Sequence, residues 1–410
     1  MTTDKKDRIP NAPDKGLIPK LRFPEFKEGW KSATIGLCCS PLEYGMNAAA
    51  TEYDGANKYI RITDIDENTS RYKYDDIVSP SGELEDRYKV RPNDILFART
   101  GASTGKTYLY NDNDGTLYFA GFLIRGNIKP HFNSRFVFYQ TQLKRYWKWV
   151  AIMSARSGQP GINSQEYESY ELFLPSRTEQ DKIADLLELI DQRISTQSRA
   201  IEDLKRLRLA IQDKLIEQLV CSNDLKSFSE VYEVAGEGGT PDTSKREYYE
   251  GGTIPFIKID DLANKYLKEH KDSITELGMC KSSAWLVPAN SLIFSNGATI
   301  GSASINSYPV ATKQGVLGIV PKNNISVEYL YYLMTSTYFK KQVHRIITHG
   351  TMATAYLRDI NKIAVPIPNI DKQKYVSLVL SSLSRKEDIE IQMLCRLQNQ
   401  KQYLLQRMFI

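Results

Sequence analysis

No stretch of the 410 residues approaches the roughly 18 uncharged apolar residues that a membrane span requires. The polar, proline-bearing start (MTTDKKDRIPNAPDKGLIPK) carries no apolar signal-type run, and the sequence reads as a soluble, cytoplasmic protein that contacts no membrane. Cysteine is scarce. Cys38, Cys39, Cys221, Cys280 and Cys395 contain no C-x-x-C pair and form no even framework, which argues against a zinc ribbon and a disulfide scaffold. Histidine is scarcer still: His131, His270, His344 and His349 are too scattered for a metal site, and the last two, five apart, read as the end of a helix. There is no Asn-Pro-Pro-Tyr motif and no glycine-rich cofactor loop after a first strand, so methyl transfer by this chain is disfavoured. The net charge of +5 is too small by itself to name a polyanionic partner.

One absence is local. Between Asp114 and Glu166 there is no acidic residue, yet the segment holds Arg125, Lys129, Arg135, Lys144, Arg145, Lys148 and Arg156 with aromatics interleaved. Between Glu276 and Asp359 the only acid is Glu328, against Lys281, Lys313, Lys322, Lys340, Lys341, Arg345 and Arg358. A near-neutral chain that concentrates cations in this way carries the electrostatic footprint of a nucleic-acid binder.

What is present is written twice. The length exceeds the roughly 250–300 residues at which one core stops growing, so two or three structural units are expected. KYIRITDI (58–65) returns as PFIKIDDL (255–262), and RPNDILFARTGASTG (91–105) as VPANSLIFSNGATIG (287–301). FNSRFVFYQ (132–140) answers ISVEYLYYL (325–333), and LPSRTEQDKIADLL (174–187) answers IPNIDKQKYVSLVL (367–380). Four matches in one order at nearly one spacing describe two copies of one domain plan.

The repeat also disposes of an apparent nucleotide site in LFARTGASTGKTYLY (96–110). A phosphate-cradling loop needs four residues between its first glycine and its Gly-Lys, whereas three separate Gly101 from Gly105, and the sister copy GATIGSAS has no lysine. The element reads as a tight turn after a buried strand.

From Pro175 glycine and proline vanish for some 45 residues, and a 4-3 spacing appears: Ile183, Leu187, Ile190, Ile194, Gln197, Ile201, Leu204, Arg208, Ile211, Leu215. Moving 193 positions on gives Val376, Leu380, Leu383, Glu387, Glu390, Leu394, Leu397, Lys401, Leu404 and Met408. Helices of this length, roughly 65 Å, overhang any domain of about 150 residues, and their stripes predict mutual packing. The plan is an arm (1–30), a first mixed α and β domain (31–175), a long helix (176–221), a second such domain (225–367) and a second long helix (370–410).

Each basic helical stretch, around 134–150 and 327–345, is followed by a small polar loop, SARSGQPGINSQ (154–165) and ITHGTMATAY (347–356). Glycine there allows close backbone approach to a phosphate, and the polar side chains can pair with base edges. Candidate DNA contacts are Arg99, Thr100, Ser103 and Lys106 around the first turn, then Lys144, Arg145, Lys148, Arg156, Ser157, Gln159 and Asn163. In the second copy they are Ser295, Asn296, Thr299, Lys340, Lys341, Arg345, His349 and Thr351. Two competing readings are a coiled-coil adaptor whose globular copies bind protein, and a magnesium-dependent nuclease built on Asp242, Glu269 and Lys271, a pattern missing from the first copy.

The arm PKLRFPEFKEGWK (19–31), the paired GASTG and GATIG elements, the run SGQPGINSQEYESYELFLPSRTEQDKIADLLELIDQRI (157–194) and the duplicated domain-helix order resemble the specificity subunits of Type I restriction-modification systems. HGTMATAY is a weaker match than SGQPGINSQ. The resemblance implies two target recognition domains, each reading half of a bipartite double-stranded DNA sequence, and two long helices packed antiparallel as a spacer. It implies that the subunit itself catalyses nothing and holds no cofactor. Methylation and cleavage would fall to partner methyltransferase subunits, two per specificity subunit, and to restriction subunits, which use S-adenosylmethionine, ATP and magnesium.

Overall fold

The computed structural model describes residues 17–155, 161–222, 224–347 and 353–410. The chain divides into two compact units: unit 1 takes the residues up to Thr196 together with Leu394–Ile410, and unit 2 takes Gln197–Met393. Six helices organise them: α1 (Ser134–Gln140), α2 (Lys144–Ser154), α3 (Arg177–Ser222), α4 (Val327–Thr335), α5 (Thr337–Ile346) and α6 (Ile370–Met408). The division cuts both long helices, so α3 begins in unit 1 and ends in unit 2, and α6 does the reverse.

In unit 1 an antiparallel sheet sets Glu43–Tyr44, Leu123–Asn127, Asp94–Ala98 and Thr107–Leu109 side by side. Strand Asp94–Ala98 is buried along its whole length: Ile95–Ala98 form an apolar run, and the Asp94 carboxylate accepts from Asn127 Nδ2 at 2.8 Å and Arg91 N at 2.7 Å. Unit 2 repeats the arrangement with Tyr232–Glu237, Val316–Pro321, Leu292–Ser295 and Ala303–Ile305. A parallel pairing recurs as well, Lys58–Ile60 with Leu117–Phe119 and Ile254–Ile257 with Val310–Thr312. In each unit a two-stranded antiparallel ribbon joins the domain's first and last strands, Lys31–Thr34 with Glu171–Leu174 and Leu225–Ser227 with Ala364–Pro366. A long helix follows directly.

The helical stretches expected around 134–150 and 327–345 are each broken in two. Asn133 caps the start of α1 by accepting from Phe136 N at 3.0 Å; at the first break Thr141 donates to Phe138 O at 2.7 Å, and at the second Ser336 both ends α4 and caps α5, donating to Leu333 O at 2.6 Å and accepting from Phe339 N at 3.2 Å. A hydroxyl or amide that satisfies orphan backbone groups turns the chain without a glycine.

One glutamine per unit fastens the short helix to the long one. Gln180, buried in the first turn of α3, accepts from Asn133 N at 3.0 Å and donates to Pro175 O at 3.0 Å. Gln373 in α6 accepts from Ser326 N at 2.8 Å and donates to Pro368 O at 2.8 Å. The start of α3 also receives the arm: Arg22 meets buried Glu179 through two bonds of 2.7 Å, and Trp30 packs edge-on against Phe136 and Phe409.

The long helices pair antiparallel. Within unit 1, Ile183 and Leu187 share a core with Leu405 and Met408, and Lys401 meets Asp191 at 2.7 Å. Within unit 2, Ile216 and Leu219 share a core with Val376 and Leu380, Arg208 meets Glu387 at 3.0 Å, and Gln197 donates to Glu390 at 2.6 Å. The expected seam departs from the structure near the end of α3, where Gln212 and Ile216 are more buried than Ile211 and Leu215. A straight helix drifts against a 3.5-residue repeat. Moreover, Gln212 there faces the domain, donating to Tyr332 O at 2.7 Å.

Candidate nucleic-acid interface

The Gly-x-x-x-Gly element is a turn. Gly101–Ser103 form a single 3-10 turn, Gly105 N returns to Ala98 O at 2.9 Å, and Gly101 and Gly105 adopt φ of 69° and 90°. Only glycine takes such angles without strain. A Cβ on Gly105 would also stand 2.5 Å from Val150 Cγ1, so α2 packs directly on the turn, and Tyr146 of α2 donates to Gly105 O at 2.9 Å. The Lys106 ammonium is paired with Glu67 at 2.7 Å.

The structure joins two segments that the sequence kept apart. Thr100, just before the turn, forms a β-bridge with Gly161, and Ile162 N donates to Arg99 O at 2.9 Å. In unit 2, Gly297 bridges to Thr354, and Ala355 N donates to Asn296 O at 2.8 Å. Each turn is thereby stitched to the loop that follows the basic helix, giving one surface per unit that contains turn, loop end and helix face.

On that surface the predicted residues fare differently. Lys144 and Lys148 are exposed, one turn apart on α2, with Trp147 exposed beside them. Lys340, Lys341 and Arg345 are exposed on α5 and line a cavity of about 520 Å³ together with Phe294, Met334 and Phe339. Arg99 is half-buried, its guanidinium 4.9 Å from the centre of the Tyr44 ring. Thr100 and Ser103 are half-buried and Thr299 is exposed. Asn163 is exposed and caps a short helix, accepting from Glu166 N at 2.9 Å. Arg156, Ser157, Gln159, His349 and Thr351 lie outside the described residues.

Three expected contacts are committed to the fold. Ser295 is fully buried and donates to Gly297 O and Thr299 O at 3.0 and 2.7 Å. Asn296 is fully buried and donates to Ala355 O at 3.3 Å. Both lie where the buried strand enters the turn, and they hold that turn rather than face solvent. Arg145 donates to Ile410 O and Glu171 O at 3.2 and 3.0 Å and stacks on Phe173 at 4.3 Å. Similar commitments consume Arg125, paired with Glu43, Lys129, bonded to Leu37 O, and Arg135, paired with Asp185. The acid-free stretch therefore yields fewer available cations than its composition implies.

Residues missed by sequence reasoning include Tyr44, which carries Arg99 and bonds Ser164 N at 3.2 Å, and exposed Phe122, whose carbonyl accepts from Arg99 N at 3.0 Å. Phe122 sits in an apolar run that reads as strand, and only its place in a reverse turn exposes it. Asp242, offered for metal, instead accepts from Ser244 N and Oγ. Among the described residues, no group of three His, Cys, Asp or Glu side chains is disposed to hold an ion. No helix among them is long and apolar enough to cross a membrane.

The family signature described as Type I restriction modification DNA specificity domain matches residues 45–206 and again 223–399. The chain is 32% identical over 161 residues to the Type I restriction enzyme MjaIX specificity subunit of Methanocaldococcus jannaschii, covering 38% of this chain and 37% of that protein. It is 29% identical over 147 residues to the EcoR124I/EcoR124II specificity subunit of Escherichia coli, covering 35% and 36%. The chain thus spans about a third of the length of these two relatives. To the HindI specificity subunit of Haemophilus influenzae it is 25% identical over 384 residues, covering 72% and 82%. Among solved structures, the S subunit of a Type I restriction-modification system from M. genitalium superposes with a TM-score of 0.58 at 18% identity, over 96% of this chain and 99% of that one.

Proposed function

Because the chain belongs to the Type I restriction-modification DNA specificity family, with two copies of its domain, we propose that it is the sequence-reading subunit of such a system. It binds a bipartite, asymmetric double-stranded DNA target, one half-site per recognition domain, and directs partner methyltransferase and restriction subunits to it. Two methyltransferase subunits join each specificity subunit in the cytoplasm. Catalysis, with its S-adenosylmethionine, ATP and magnesium, belongs to the partners.

The observation that carries this reading is the recurrence, in both units, of a basic helix face beside a turn stitched to a polar loop. Exposed lysines supply phosphate contacts and hence register, while polar side chains of the loops read base edges. Different side chains on the two surfaces imply two different half-sites.

The test replaces Lys144 and Lys148 by Glu, and separately Lys340 and Lys341, and measures duplex binding by fluorescence anisotropy across salt concentrations. Each lost phosphate contact lowers the slope of log affinity against log salt by about 0.9, so each double variant is expected to lower it by roughly 2. Unchanged affinity and slope in both variants would refute the assignment. A protein-binding adaptor would show little salt dependence at all.

A further inference from the structure

The two units use the same seats for their short helices but fill them with opposite charges. A shift of 193 positions equates Arg135 with Glu328, Tyr139 with Tyr332, Glu188 with Ser381 and Asp191 with Ser384. In unit 1 the acids come from the long helix; the cations facing Asp185 and Glu188 come from the domain, and Asp191 also meets Lys401 of the second long helix at 2.7 Å. Arg135 meets Asp185 at 2.7 Å, Arg71 approaches Glu188 at 3.9 Å, and Tyr139 donates to Asp191 at 2.9 Å.

In unit 2 the long helix contributes only hydroxyls, and the carboxylate has moved to the short helix. Lys265 comes from the loop after the 3-10 turn Ile259–Asp261, as Arg71 comes from the loop after Ile62–Asp64. Its ammonium, largely buried, lies 3.0 Å from Glu328, 2.8 Å from Ser381 Oγ and 3.2 Å from Tyr332 OH. Ser381 donates to Glu328 at 2.8 Å, Tyr332 OH lies 3.4 Å from Ser384 Oγ, and Tyr266 also donates to Glu328. The backbone of Lys265 is tied to Ile305, whose N–H donates to Lys265 O at 2.7 Å.

We propose that these clusters are charge keys: Arg71, Arg135, Asp185, Glu188 and Asp191 in unit 1, and Lys265, Glu328, Ser381 and Ser384 in unit 2, position each recognition domain on the long helix that follows it and on no other. Domains built to one plan share the tyrosine and the glutamine fastening, so shape alone does not discriminate between seats. Charge does. On α3, Glu328 would stand among Asp185, Glu188 and Asp191 with no added cation from the helix. On α6, Arg135 and Arg71 would find serines. In the unit 2 cluster, where Lys265 is largely buried, a mismatch leaves a charge without its counterion, which costs far more than the matched pair contributes; the unit 1 pairs are more exposed and discriminate less. These are positioning residues. Their link to DNA rests on the reading given above, because a displaced loop moves the recognition surface.

The test transplants the unit 1 key into unit 2 of the full chain. Glu328→Arg sets a second cation beside Lys265. Hydrogen exchange of the amides in 265–267 and at Ile305 is expected to accelerate by roughly tenfold or more, with DNA affinity falling about tenfold. Adding Leu378→Asp, Ser381→Glu and Ser384→Asp, the counterparts of Asp185, Glu188 and Asp191, is expected to return exchange to near the parent rate and restore binding. Adding Ser381→Ala and Ser384→Ala to Glu328→Arg is not. A change that merely perturbed packing would not be rescued by acids and left unrescued by alanines.

Should Glu328→Arg fail to fold, the more exposed unit 1 key carries the test: Arg135→Glu weakens, and Arg135→Glu with Asp185→Lys, which reverses the pair, restores. Exchange unaffected by Glu328→Arg, or not restored by the acids, overturns the keys and leaves the DNA reading intact. If the parent chain shows no salt-sensitive DNA binding while the exchange pattern follows the keys, the DNA reading fails and the keys stand.

Discussion

Replacing Gly105 and Gly301 by alanine should have unequal consequences, although the two glycines end equivalent turns. Both hold φ in the left-handed region, 90° and 100°, so each alanine meets a backbone cost of roughly 1 kcal/mol. At Gly105 the new methyl would stand 2.5 and 2.8 Å from the two methyls of Val150, a buried side chain at the heart of α2. Overpacking of that kind adds about 1–3 kcal/mol, for a total of about 2–4 kcal/mol. At Gly301 the nearest atom is Lys340 Cε at 3.9 Å, the end of a flexible chain, and no second contribution arises. Urea unfolding followed by tryptophan fluorescence separates the units, because Trp30, Trp147 and Trp149 lie in unit 1 and Trp285 in unit 2. Adding Val150→Ala to Gly105→Ala should give less destabilisation than the two changes summed, by about 1–2 kcal/mol. Equal losses at the two glycines, or strict additivity with Val150→Ala, would refute the packing of α2 on its turn.

Two further outcomes follow from the fastening of the domains. Arg22→Met should destabilise unit 1 by about 3 kcal/mol in calorimetry, since it leaves the buried Glu179 carboxylate without its two-bond partner; a change below 1 kcal/mol would mean that the arm adds nothing. In unit 2, burial by itself would raise the Glu328 carboxyl, but donors from Tyr266, Lys265 and Ser381 outweigh it and hold the group below its ordinary range. A carboxyl lowered on folding contributes stability above its unfolded pKa, and that contribution disappears as pH falls through the folded value. Acid unfolding of unit 2 should therefore steepen below about pH 4.5, and Glu328→Gln should flatten that limb while lowering stability at neutral pH. An unchanged acid limb would show the cluster to be silent.

The long helices were legible because a 4-3 rhythm sustained from 183 to 215 and again from 376 to 408, without glycine or proline, leaves few alternatives, and α3 and α6 begin and end within a residue or two of the expected places. The duplicated plan was legible for a different reason: internal comparison supplies in one chain what one copy alone cannot. The site was harder to read. Ser295 and Asn296 stand in a polar-looking segment, yet the strand that precedes them carries them into the core. Arg145 looks like any surface cation in KRYWK, and its partner Ile410 is remote in sequence. Local composition registers charge but not which charges long-range contacts will neutralise. The bridge from Thr100 to Gly161 likewise depends on tertiary closure, and no spacing rule announces it.

The short ribbons Lys31–Thr34 with Glu171–Leu174 and Leu225–Ser227 with Ala364–Pro366 bear on how such a chain tolerates change. Paired strands hold the two ends of each domain about 5 Å apart, so everything between them is, entropically, one closed loop. Closure entropy grows only logarithmically with loop length, about 0.6 kcal/mol for a doubling. Insertions, deletions and wholesale divergence of the enclosed sequence consequently leave the starting point of the following helix where it was, and the interior of each domain can drift quickly while its anchorage stays still.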